Sequence, residues 1–277
     1  MTMTVHCVLC GPRPHRSLLD GAVRQCASCG LGHTSADPAA ARERHGDVTR
    51  RGDGHDDRFD APQRRYEAGR RLRWVRAHCR PATLLEAGCA GGYFLAAARR
   101  AGIDATGIEV SPVSAHYAVE SLGMPVRQGH FEAVAPSVEP VDAVCAFHVL
   151  EHVAHPRTFL SAARAALVPG GRLFLEVPNA ASAAAQRLGA HWPAWQPERH
   201  RWHFTPWSLV ELLIDLGFLV EKYDTVFSRY YCRPLPRMRR ARDLVVADAV
   251  AARSARVSHP RLGDLLRLVA RRPEDSR

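Results

Sequence analysis

The 277-residue chain contains no apolar run as long as the ~20 residues a membrane-spanning helix needs. No signal peptide opens it either, so we expect a cytoplasmic protein whose cysteines stay reduced and form no disulfides. Lysine is almost missing: of 38 basic residues, only Lys222 is lysine. That skew reads as a coding bias and not as a set of phosphate contacts. The glycine-rich turn at residues 86–92 also fails to read Gly-x-Gly-x-x-Gly, which argues against a dinucleotide pyrophosphate there.

Positive charge is present but poorly placed for a nucleic acid. The formal charge is +10, yet residues 81–228 carry 10 basic against 14 acidic side chains. Residues 229–277 carry 13 arginines against 5 acids. A nucleic-acid footprint gathers around the site it serves, and here the segment with the chemical motifs is the only acidic part. With 46% hydrophobic residues, the chain can build one α/β domain with a small appended module.

That module is announced by cysteine. Cys7-Val-Leu-Cys10 and Cys26-Ala-Ser-Cys29 are each followed by glycine, with fifteen residues between the pairs. Two thiolates three positions apart grip one metal from a tight knuckle, and two knuckles complete a tetrahedral site. We expect residues 1–35 to form a zinc ribbon on Cys7, Cys10, Cys26 and Cys29. Four thiolates leave no open coordination position, so the zinc is expected to be structural. A redox pair or an empty site is the alternative. His6, His15 and His33 lie nearby but are not needed as ligands. Cys79, Cys89, Cys145 and Cys232 stand alone and read as small buried residues.

A polar linker is expected over 36–61, then a helix from Pro62 to Cys79. Strands are expected near 83–87, 104–109, 124–128, 141–146 and 171–177, with helices near 91–101, 112–122, 155–167 and 206–216. This alternation predicts a Rossmann-like α/β domain over 62–277, its mostly parallel sheet covered by helices on both faces. Residues 217–227 are expected to add a further strand.

Residues 83–109 carry the most information. An apolar run ends in Glu86, turns through Gly88, Cys89, Ala90, Gly91 and Gly92 into an alanine-rich helix, and a second apolar run ends in Glu109. A strand, a glycine turn and a helix N-terminus make a cradle that backbone can close around a nucleotide-like ligand. A carboxylate at the end of the next parallel strand can meet a ribose diol.

The turn Glu86-x-Gly88-Cys89-Ala90-Gly91-Gly92 resembles motif I of class I S-adenosylmethionine-dependent methyltransferases. The likeness continues through Val141-Asp-Ala-Val-Cys-Ala-Phe-His-Val-Leu-Glu-His-Val153 and Leu167-Val-Pro-Gly-Gly-Arg-Leu-Phe-Leu-Glu-Val-Pro-Asn179. It extends to His200-x-x-x-Phe204-Thr205 and Leu216-Gly-Phe218, covering residues 80–228 in the family's order. The resemblance implies a seven-stranded sheet and S-adenosyl-L-methionine held by Glu86, Gly88, Cys89, Ala90, Gly92, Glu109 and Val110, together with Phe131, Phe147 and His148. Ala90 departs from the usual glycine, and His130 stands where an Asp is frequent. The run 262–273 resembles the family's last, antiparallel strand, which makes 236–256 an expected helical insertion.

Methyl transfer from a sulfonium is an in-line displacement, so the protein chiefly aligns groups and excludes water. Deprotonating the acceptor calls for a group that titrates near neutrality, and histidine does. His152 and His200 are the candidates; for His152 the alternative is a structural histidine that pins its loop by a side-chain hydrogen bond. In similar sugar C-methyltransferases an acidic residue and a histidine occupy the His200 segment; here Arg199 replaces the acidic neighbour and Glu198 lies one place earlier. Tyr66 is a third candidate, or simply packing. Trp192, Trp195, Trp202, Phe204 and Trp207 suggest an acceptor-pocket wall, or a cap on the core.

The expected function is methyl transfer to O or C of a small biosynthetic intermediate. An rRNA or other nucleic-acid methyltransferase is the rival, against which stands the lack of an Asn-Pro-Pro-Tyr type motif. A catalytically inactive cofactor-binding partner protein is the third reading. The sequence leaves the oligomeric state open.

Overall fold

The computed structural model describes residues 3–34, 61–227 and 263–275. The expected linker (residue 61 apart), the expected insertion 236–256 and Cys232 lie outside them. Two sheets organise the chain. The first is built from β1 (Met3–Cys7), β2 (Gly11–Leu18), β3 (Val23–Cys26) and β4 (Gly32–Thr34), all antiparallel in chain order. Its fifth strand comes from far down the chain: β10 (Trp202–His203) pairs with β4. Two residues are too few to show an alternating pattern, so β10 was not legible in the sequence.

The second sheet has seven strands. Helix α1 (Ala61–His78) precedes β5 (Thr83–Ala87), α2 (Tyr93–Arg100), β6 (Asp104–Glu109), α3 (Pro112–Leu122), β7 (Val126–Gln128) and α4 (Phe131–Val134). Then come β8 (Val141–Phe147), α5 (Pro156–Ala165), β9 (Leu167–Pro178), α6 (Ala183–Leu188), α7 (Pro206–Asp215), β11 (Leu219–Val226) and β12 (Leu265–Arg271). The strand order is β11-β12-β9-β8-β5-β6-β7. β5 pairs in parallel with both β6 and β8, and β12 runs antiparallel between β9 and β11. The order therefore reverses direction at β5, and the crevice beyond the carboxyl ends of β5 and β8 is where such sheets bind ligands.

Local chemistry explains most element ends. Ser111 caps α3 by accepting from Ser114 N–H, Pro112 opens the helix, and Gly123 closes it in the left-handed region. Thr205 and Ser208 form a reciprocal capping box at α7, with Pro206 in the first turn. Helix α2 starts at Tyr93, two residues later than expected, because Gly92 is left-handed at φ +80°. β9 is longer than expected at both ends, and the helix before it stops at Ala165 to make room. From Ala143 to Phe147, β8 reads as an unbroken apolar run because both of its faces are covered, and Ala143 through Ala146 are fully enclosed.

The two sheets share one core. Cys7, Cys26, Cys29 and Leu31 beside the first sheet belong to the same continuous apolar cluster as Leu85, Ile108 and Leu173 of the second and Leu213 of α7. Among the described residues, no helix is long and apolar enough to cross a membrane.

Candidate active site and four-cysteine centre

The turn after β5 and the loop after β8 meet at the switch point. Gly88 has φ +65°, and a Cβ on it would lie 2.5 Å from Val149 Cγ2, so only glycine permits the two loops to touch. Glu109, at the end of β6, holds the turn from the other side. Its Oε2 accepts from Ala90 N–H at 2.8 Å and its Oε1 from Ser111 N–H at 2.8 Å. Each oxygen has a further lone pair for a ligand hydroxyl. Cys89 is buried and lies against Gly107 of the neighbouring strand. Ala90 sits at φ +45°, a conformation that strains any residue with a Cβ.

Glu86 is buried, and its Oε2 has no hydrogen-bond partner among the described residues. Burial pushes its carboxyl up to about 8, against the pull of Arg71 and with added repulsion from Glu109. An orphaned acidic oxygen beside a glycine turn suits an ammonium group, which an amino-acid-bearing nucleoside would supply. The residues present therefore fit S-adenosylmethionine: a backbone cradle, a carboxylate at the second strand end and a buried acid for the amino group.

A charged layer lies beside this cradle. Glu176 on β9 is gripped by Arg71 Nη2 at 2.6 Å and by Arg267 Nη2 at 2.6 Å, and His148 Nε2 lies 3.4 Å away. Arg71 also stacks over the Phe147 ring, 4.7 Å from its centroid, while Phe94 meets the same ring edge-on at 5.0 Å. His148 has φ +58°, and its Nδ1 lies 3.2 Å from Glu151 Oε1. Burial opposes charge on this imidazole, but the hydrogen bonds to Glu151 and Glu176 outweigh it and carry it up to about 9. Burial would likewise raise Glu151, yet the hydrogen bond from His148 and the electrostatic pull of the neighbouring histidines hold it at about 2. His148 is thus an imidazolium seated between two carboxylates. Sequence reading missed Arg71, Glu151, Glu176 and Arg267 as members of the site. The available signal was Glu176 itself, a lone acid in the apolar strand Leu-Phe-Leu-Glu-Val.

His152 and His200 come together across two loops, with ring centroids 4.9 Å apart and edge to face. His152 is exposed and His200 is buried. His152 Nδ1 lies 3.0 Å from Arg199 O, and His200 Nδ1 lies 2.9 Å from Ala194 O. A carbonyl only accepts, so in the neutral rings the proton sits on Nδ1 and the lone pair on Nε2. Burial holds His200 down at about 4, with Glu151 pulling the other way. Glu151 Oε2 is buried without a hydrogen-bond partner among the described residues. Glu151, His152 and His200 offer ligand atoms within 4.8 Å of one another, so the trio can seat a proton or a cation.

The four N-terminal cysteines also converge, their sulfurs lying within 4.8 Å of one another and Cys7 Sγ 3.6 Å from Cys29 Sγ. Four sulfurs ~2.3 Å from a zinc ion would stand ~3.8 Å apart, so the cage has the right size. The hydrogen bond between Cys7 and Cys29 draws the Cys7 thiol down to about 4 and pushes the Cys29 thiol up, so the pair shares a proton that a bound metal would displace.

The other expected residues fall as follows. Phe131 is buried at the start of α4, and Val110 is exposed beside Glu109. Tyr66 is exposed on α1. Trp192 and Trp195 are buried with Val23, Ala180 and Ala194 in a small cluster against the first sheet, whereas Trp207 is 60% exposed on α7. Phe204 is fully buried, which is the core-capping alternative.

Residues 61–223 match the family described as "Methyltransferase domain", and the chain belongs to that family. It is 33% identical over 157 residues to a ubiquinone biosynthesis O-methyltransferase of Cereibacter sphaeroides, covering 52% of this chain and 64% of that protein. The chain thus spans somewhat less than two thirds of that relative. A ubiquinone biosynthesis O-methyltransferase of a Methylobacterium strain is 34% identical over 182 residues, or 61% of this chain and 72% of that one. Among solved structures, the 1,6-didemethyltoxoflavin-N1-methyltransferase of Burkholderia thailandensis, crystallised with 1,6-didemethyltoxoflavin and S-adenosylhomocysteine, shares the fold. It has a TM-score of 0.52 and 18% identity, covering 90% of this chain and 98% of that one. A SAM-dependent methyltransferase of Archaeoglobus fulgidus does so at TM-score 0.54 and 17% identity, with coverage of 75% and 94%.

Proposed function

We propose that this protein is an S-adenosylmethionine-dependent methyltransferase acting on a hydroxyl of a small biosynthetic intermediate, and that its four cysteines hold a structural zinc ion. The observation that carries the reading is the cradle: Gly88 left-handed against Val149, Glu109 at the next strand end, and the orphaned Glu86 oxygen. The names of the curated relatives favour oxygen over carbon as the methylated atom.

In this reading, Glu109 meets the ribose diol, Glu86 receives the ammonium, and the turn from Gly88 through Cys89 and Ala90 to Gly92 lies along the cofactor. Val110, Phe131, Phe147 and His148 complete its surroundings. When bound, the cofactor supplies an electrophilic methyl group. The chain's own task is to orient the acceptor oxygen and take its proton. A ring held at about 4 is a poor proton acceptor near neutral pH. We therefore assign His200 to receive a hydrogen bond from the acceptor hydroxyl and His152 to take the proton. The Glu151 carboxylate steadies the charge that results. Tyr66, exposed on α1, is a lesser candidate for touching the acceptor. The domain division at 35 and 61, the cytoplasmic location and the absence of a nucleic-acid partner remain part of this proposal.

Calorimetry of the full chain with S-adenosylhomocysteine tests the reading. We expect micromolar binding in wild type and a loss of about 10-fold or more in Glu109→Ala, as for a charge-assisted contact. Wild-type protein that takes up no heat with this ligand overturns it.

A further inference from the structure

The four-cysteine centre is wired to the two loops that carry His152 and His200, one knuckle to each. The first knuckle, Cys7-Val8-Leu9-Cys10, is tied to α5: Arg157 Nε donates to Val8 O at 3.0 Å. Helix α5 begins at Pro156, directly after the loop bearing Glu151 and His152. The same Arg157 forms an ion pair with Asp215 at the far end of α7.

The second knuckle, Cys26 to Cys29, is tied to the His200 loop. Thr205 Oγ1 donates to Cys29 O at 3.3 Å, and Thr205 is the N-cap of α7. Gly30 approaches the same threonine so closely that a Cβ would lie 3.2 Å from its methyl. Just beyond the knuckle, Thr34 N–H donates to Arg201 O at 2.9 Å, and Thr34 Oγ1 donates to His200 O at 2.6 Å. Thr34 Oγ1 also lies 3.1 Å from His203 Nε2, and β4 pairs with Trp202 and His203. The other side of this segment faces the His152 loop: Arg201 and Trp202 both donate their amides to Glu151 O, and Trp202 Nε1 donates to Val153 O. Residues 199–205 are thus held between the metal module and residues 151–153.

From this wiring we infer that the four-thiolate metal site is a clamp on the acceptor side of the enzyme, setting the distance between His152 and His200, with Thr34 as the positioning residue that passes the constraint to His200. The inference rests on the zinc and acceptor-side assignments proposed above. Two knuckles separated by fifteen residues have no covalent link other than the β2–β3 hairpin. A metal bound to both fixes their separation and, through Arg157, Thr34 and Thr205, that of the loops. The cofactor cradle takes its hydrogen bonds from β5 and β6 and meets the clamped His152 loop where Gly88 packs against Val149.

The test uses the full chain and needs no acceptor. Zinc content is measured first; a protein purified with less than about half an equivalent contradicts the zinc assignment itself, as distinct from the clamp. Wild-type, Thr34→Val, Thr34→Ser and Cys26→Ser proteins are then compared by amide hydrogen exchange and by histidine-ring NMR, with S-adenosylhomocysteine affinity measured alongside. We expect Thr34→Val to raise exchange in residues 200–205 by about tenfold and to alter the His200 ring signals, while exchange in residues 86–93 and ligand affinity stay within about twofold. Thr34→Ser restores the wild-type ring signals, because it keeps the hydroxyl. Chelator-treated wild type and Cys26→Ser should show the larger loss of protection at both 148–153 and 200–205. Unchanged exchange and ring signals in Thr34→Val and in metal-stripped protein overturn the clamp. So does equal loosening of 86–93, which marks a general fold defect.

Discussion

His200 Nδ1 stands 2.9 Å from the carbonyl oxygen of Ala194, and the residue is buried. Burial pushes this imidazole down to about 4 and, on the same grounds, its neighbour His203 to about 3. Each ring binds fewer protons in the folded chain than in the unfolded chain, whose histidines titrate near 6.5. Folding stability therefore falls as pH drops from about 6.5 toward 4, and the contribution of these rings is complete above 6.5. The doubly substituted His200→Gln, His203→Gln protein should show a flatter melting temperature across that window. An identical acid slope in the variant would contradict the burial argument.

His152 lies exposed with its lone pair at Nε2, and we give it the proton. His152→Ala should lower kcat by ~10²-fold with little change in cofactor affinity. His200→Gln should instead raise the acceptor KM, because it removes an orienting hydrogen bond and not the base. Steady-state assays with any acceptor the protein turns over would separate the two, and wild-type kcat in His152→Ala removes it from the mechanism.

Glu86 binds a proton in the folded chain up to about pH 8 but only to about 4.5 when unfolded. Its contribution to stability is therefore present below 4.5 and is lost as pH rises through 8. Ionising it for an ammonium ligand should make cofactor binding release a proton and tighten as pH climbs toward 8. Calorimetry in buffers of different ionisation enthalpy measures that proton. Glu86→Gln should abolish the proton release, weaken binding by about tenfold, and raise stability at alkaline pH.

Ala90 occupies a left-handed position that costs a residue with a Cβ roughly 1–2 kcal/mol. Ala90→Gly relieves that strain and loses part of the gain to unfolded-chain entropy, so we expect a net stabilisation of about 0.5–1 kcal/mol. Chemical denaturation with unchanged m-value would report it. A loss of stability would mean that the turn's strain is held elsewhere.

The fold was legible because its signals were local. The alternation of apolar runs, the turn at 86–92 and the antiparallel return near 262–273 each sit within a dozen residues. The four cysteines were legible for the same reason. What the sequence concealed depends on separations of tens to hundreds of residues: Thr34 against His200, Arg71 and Arg267 against Glu176, and β10 against β4. His148 was read as a cofactor neighbour, but nothing in its segment shows that Glu176 would arrive at its other nitrogen and make it an imidazolium. Trp207 was grouped with the other tryptophans by proximity in sequence; on α7 it falls on the outer face, because a helix turns away the residue that a loop would have kept with its neighbours.

Arg267 belongs to the last described strand, 91 positions after the Glu176 it neutralises. A ribosome therefore delivers the acid long before its second counter-charge, and a carboxylate enclosed without enough cations is expensive. The nascent polypeptide therefore cannot give Glu176 both of its arginines until β12 enters between β9 and β11.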